Sequence, residues 1–126
     1  MELPPVHKAA ELVEVVRIVA PVSLHDTEEL TGVDVALWEG EQVQRTLALI
    51  SGLPTSEIHR CFDPGWGVRV HGPEDVLFRI AFCFSCHGAR LWGPGVDGDL
   101  DGIQPFDPDS PPARELLRQF RAAARG

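Results

Sequence analysis

At 126 residues, with 44% hydrophobic and 24% charged positions, the chain has the length and balance of one globular domain, 1–126, and needs no disulfide framework or metal merely to offset a small core. Its net charge of −8 excludes a general nucleic-acid or membrane-surface binder, which would use a basic field. Acids near the start replace the basic segment of a secretory signal, and no stretch approaches the ~20 apolar residues of a membrane span, so the expected setting is cytoplasmic.

Residues 7–20 place Ala9, Leu12, Val13, Val16 and Val19 on one helical face, which predicts an N-terminal helix ended by Pro21. The valines pull against it, because β-branched side chains lose rotamer freedom in a helix. "EQVQRTLALISGLP" sets Val43, Leu47 and Ile50 at helical spacing before Gly52 and Pro54, giving a second helix over 41–51.

From about 58 to 92 the pattern is β. "GVRVH" and "VLFRIAFCF" alternate around the turn "GPED". Phe78, Ile80, Phe82 and Phe84 fall on one face, with Arg79, Ala81 and Cys83 on the other. Matching the apolar faces opposes Val70 with Val76, Val68 with Phe78 and Trp66 with Ile80; a one-residue slip would set arginine against phenylalanine. Extended upstream, this register opposes Phe62 with Phe84 and Cys61 with Ser85, leaving Cys61 and Cys83 on a diagonal of roughly 7–8 Å.

Residues 93–108 read as a loop. Ser110 as N-cap, Pro111 at the first helical position, and Leu116, Leu117 and Phe120 on one face predict a C-terminal helix. Arg114, Arg118, Arg121 and Arg125 lie along its outer side, as a solvated face in the first reading and an acidic-partner surface in the second. The expected fold is α+β: a small antiparallel sheet of three to four strands, about 58–92, packed with one or two N-terminal helices and a C-terminal helix.

"CFSCH", residues 83–87, is C-x-x-C-H. As a c-type haem site it would use two thioethers and an axial histidine. Haem is disfavoured, since attachment occurs outside the cytoplasm, Met1 is the sole methionine and the motif follows directly on a strand. Zinc suits the donors better, because a structural site takes four thiolate or imidazole ligands in a tetrahedron. Cys83 and Cys86 supply a pair, Cys61 a third ligand and His87 a fourth, with His59 or His71 as alternatives. In a reducing compartment two other roles compete. Cys83 or Cys86 can be a reactive or redox thiol, with Arg69 and Arg79 on the same face favouring the thiolate and binding an anionic substrate. Or the cysteines simply pack. "DGDLDG", Asp97 to Gly102, begins like a calcium loop, but Pro108 stands where the bidentate glutamate belongs, so it reads as an acidic turn.

"RCFDPGWGVRV", "VLFRIAFCFSCHGARLW" and "PFDPDSPPARELLRQF" together resemble a group of small uncharacterised bacterial proteins that share C-x-x-P-x-x-G-x-R, a strand ending C-F-x-C and a helix near F-D-P. The likeness spans residues 60–121 and touches Cys61, Pro64, Gly67, Arg69, Cys83, Phe84 and Cys86. It implies that the three cysteines and Arg69 form one unit and transfers no function. The expectation is therefore a small cytoplasmic binding or accessory protein with a cysteine-centred zinc site and a protein or peptide partner. Its rival is a thiol-dependent enzyme. No nucleic-acid or membrane partner is expected, and the oligomeric state is open.

Overall fold

Six strands form one antiparallel sheet in the order β2-β1-β3-β4-β5-β6, in a computed structural model that describes residues 1–19, 30–57 and 62–125. The strands are β1 Leu12–Arg17, β2 Val33–Glu39, β3 Trp66–His71, β4 Val76–Cys83, β5 Gly88–Trp92 and β6 Gly102–Pro105. Two helices, α1 Glu41–Ser51 and α2 Pro111–Arg125, and a 3₁₀ turn over Pro5–Ala9 complete the chain. The class is α+β as expected, but the sheet is larger than three to four strands.

The expected N-terminal helix is a correction. Leu12–Arg17 is a strand in the interior of the sheet, between β2 and β3. Val13 and Val15 are buried on one face and Val16 on the other. Glu14 and Arg17 interrupt the apolar run, and its valines satisfy helical spacing as readily as strand pairing. The β-branched content carried the true signal.

Two further strands escaped the sequence reading. In β2 the pairing with β1 shifts between Val15 and Val16, so the alternation is broken by a bulge. β6 spans only four residues inside a Gly- and Asp-rich loop and exists because β5 offers it an edge. The 41–51 helix is present, with Val43, Thr46, Leu47 and Ile50 buried at i, i+3, i+4, i+7 spacing. In α2 the Ser110 carbonyl accepts the Arg114 amide at 3.0 Å, as an N-cap carbonyl does, while its hydroxyl turns back to donate to the Asp107 carbonyl at 2.7 Å.

One sheet face carries Val13, Val15, Val68, Val70, Phe78, Ile80 and Phe82 and packs with buried residues of α1 and α2 in a single core. Phe120 of α2 anchors it, with ring centroids 5.7 Å from both Trp66 and Phe82 and 6.2 Å from Trp38. The opposite face has a smaller cluster of Val16, Ile18, Leu30, Ala81 and Trp92, with Phe62 against it. Gly67 lets Leu30 settle there: a Cβ at this position would stand 2.6 Å from a Leu30 methyl.

The β3–β4 register is displaced by two residues from the expected one. Val70 pairs with Phe78, Val68 with Ile80 and Trp66 with Phe82, with an irregularity beside His71 that admits the four-residue turn 72–75. An even slip keeps every side chain on its face, so hydrophobic patterning cannot detect it; turn geometry decides. The proposed pairing of Cys61 with Ser85 falls outside the described residues.

Candidate functional site

The C-x-x-C-H string is a hairpin turn. Cys83 ends β4 opposite Gly88 of β5, and Phe84 to His87 form the four-residue connection. His87 closes it at φ 57°, the left-handed region that a side chain seldom occupies. The Phe106 amide donates to the His87 carbonyl at 2.9 Å and ties the turn to the chain after β6.

Cys83 and Cys86 are both buried free thiols, brought together by this turn. The Ser85 hydroxyl sits 3.5 Å from the Cys83 sulfur and 4.0 Å from that of Cys86. Burial pushes the Cys83 thiol up, helped by a side-chain hydrogen bond with Cys86; the Ser85 hydroxyl and the backbone amides of Asp63 and Cys86 act the other way. Two amides thus point at one sulfur.

The remaining expected residues are spread out. His87 Nδ1 lies 3.4 Å from the Ser56 hydroxyl. His71 is six residues beyond Gly65 along β3, about 20 Å from the thiol end of the sheet, and its Nε2 pairs with the Glu14 carboxylate. Cys61 and His59 lie outside the described residues. Among the described residues no group of three or more His, Cys, Asp or Glu side chains is placed to hold a metal ion.

The two arginines oppose each other across β3 and β4. Arg69 is fully engaged: it donates to Asp34 at 2.8 Å, to Glu14 at 3.3 Å and to the Leu30 carbonyl at 2.6 Å. It therefore ties β3 to β1, to β2 and to the segment covering this face. Arg79 has its Nε buried without a hydrogen-bond partner. It stands four residues before Cys83 on the same strand face, about 13 Å away along β4. Neither arginine adjoins the thiols.

A third arginine on this face was not foreseen. Arg90, only 3% exposed, pairs with Ala81 on the cysteine face, and its guanidinium lies 4.5 Å from the Trp92 ring centroid. Relative to Cys83 it is the diagonal neighbour beyond Gly88, about 7–8 Å between α-carbons. Its sequence signal is present but faint: in "GARLW" the core takes Ala89 and Leu91, which leaves Gly88, Arg90 and Trp92 for the other face.

No protein-family model, curated protein or solved structure matches this chain. Among the described residues no helix is long and apolar enough to cross a membrane.

Proposed function

We propose that this chain is a small binding or accessory protein organised around a cysteine-centred metal site, with zinc as its ion and Cys83, Cys86 and Cys61 as thiolate ligands. The observation that carries the reading is the β4–β5 turn, which holds two buried sulfurs side by side, with the amide of Cys86 from the turn and that of Asp63 from ahead of β3 directed at the first. Amide donors stabilise a thiolate and do little for a thiol that merely fills space. Burial favours the protonated Cys83 thiol; a bound cation is the group that would deprotonate it.

Cys61 enters through chain length. The Asp63 amide reaches the Cys83 sulfur, and Cys61, outside the described residues, stands two positions before Asp63 in the sequence. The fourth position falls to His87 or His59. The pattern shared with small bacterial proteins joins the same three cysteines and supports treating them as one set. A cytoplasmic setting and a protein or peptide partner belong to the same proposal.

A thiol-dependent enzyme is the second reading, favoured by Arg90, whose backbone lies diagonal to Cys83 across the β4–β5 pair. The raised Cys83 thiol weighs against it, because the nucleophile is the thiolate. Elemental analysis of protein purified without added metal or chelator, with thiol titration of the same sample, separates the two. The metal reading expects about one zinc per chain and thiols that react only after chelation. Metal-free protein with fast-reacting thiols would replace it with the enzyme reading, and metal-free protein with unreactive thiols would end both.

A further inference from the structure

The outer side of α2 carries a second surface, lined by none of the cysteines. Arg17 and Trp66 from the sheet and Arg121 and Arg125 from the helix line an open cleft of about 510 Å³. It continues into a second cleft of about 320 Å³, which shares Arg121 and Arg125 and adds Arg114 and Arg118. Five of the chain's eleven basic residues thus line two adjoining clefts in a protein of net charge −8. No carboxylate lines either cleft among the described residues.

A solvated helix face interleaves acids with bases, and α2 does not. Glu115 is its one acid, and it is spent on Arg118, whose Nε donates to it at 2.9 Å. Arg17, Arg114, Arg121 and Arg125 have no ion pair among the described residues. The helix dipole accounts for Arg125 at the C-terminal end but not for Arg114, which sits in a first turn that has no acid and where the dipole repels cations. Arg17 is not on the helix at all.

We propose that the two clefts are one docking groove for an acidic, extended segment of a partner protein. Guanidinium forks suit carboxylates, and the partner would bring the negative charge that no described residue supplies to this surface. From Arg114 to Arg125 the helix rises about 16 Å, the span of roughly five residues of extended peptide. A long nucleic acid would overrun the groove onto the acidic remainder of the molecule, whereas a short acidic segment stays within it. The inference rests on the reading as a binding protein but not on the metal.

The test is fluorescence anisotropy with a labelled hexaglutamate peptide and the full chain. Binding should weaken about tenfold or more between about 0.05 M and about 0.5 M salt. The double variant Arg121→Glu/Arg125→Glu should lose about tenfold or more in affinity while keeping the parent's circular dichroism and metal content. Arg45→Glu, on α1, should bind as the parent does. If charge reversal prevents folding, Arg121→Gln/Arg125→Gln replaces it and should also bind more weakly. No binding, equal binding by the groove variants, or equal loss in Arg45→Glu would overturn the proposal. So would tighter binding of a single-stranded oligonucleotide of equal charge, which would assign the groove to nucleic acid. Because metal content is read on the same samples, failure of the groove and failure of the metal site are distinguishable.

Discussion

Arg69 and His87 show how a residue can resemble a functional group while holding the structure together. Arg69 meets two carboxylates and a carbonyl with a single guanidinium, and its side chain is only 19% exposed. Arg69→Leu should cost about 1–3 kcal/mol, because the Leu30 carbonyl loses the guanidinium donor and Glu14 keeps only His71 in a half-buried setting. Arg69→Lys should recover little of this, since one ammonium cannot reproduce the fork; urea denaturation of the three proteins is the check. His87 makes a different case. Its φ of 57° favours glycine, so in metal-free protein His87→Gly should be no less stable than the parent, while His87→Val should lose about 1–2 kcal/mol. Zinc content of His87→Gly then reports on ligation apart from the turn. The motif showed these residues but could not separate a ligand from a turn former, because the backbone angle of one residue leaves no periodic trace.

At the scale of elements, α2 was the most legible part of the chain. Its cap position, its Pro111 start and its apolar spacing are local signals, and the structure follows them. Phe120 is the side chain through which the helix grips the sheet, touching Trp38, Trp66 and Phe82. Phe120→Ala should cost about 3–5 kcal/mol in chemical denaturation, the range for truncating a buried aromatic. On the outer face Arg118 holds the Glu115 carboxyl down to about 2 from an ordinary value of 4.5. The sign follows from a depressed folded-state value: the pair's contribution is present above pH 4.5 and is lost as pH falls through about 2. An NMR titration should find Glu115 ionised well below the other glutamates, and Arg118→Ala should raise it part of the way back, the Gln119 amide still donating to it. β1 was the least legible element, since its valines fit helical spacing as well as they fit a strand.

For the whole molecule, the proposed metal site has a thermodynamic signature. An ion present at a hundred times its dissociation constant adds about 2.7 kcal/mol. For a domain of this size, removing it should lower the melting temperature by about 10 °C. A melting curve before and after chelation checks this, with re-addition of zinc restoring the first. An unchanged curve would place the cysteines in the packing and the search for function on the arginine groove.

What the sequence by itself determined is whatever short-range chemistry encodes: the α+β class, two helices with their ends, the β3–β4 hairpin and its two faces, and the turn that brings Cys83 to Cys86. The tertiary structure decided which segments became strands by offering them an edge, as with β2 and β6, and it chose between registers that differ by an even slip. It also separated residues that share a face: Arg79 lies far along the strand from Cys83, while Arg90 lies diagonal to it. The reason is one of range. Periodicity and turn residues act over a few positions, whereas pairing partners and the guanidiniums that gather in one cleft are set by contacts between segments tens of residues apart.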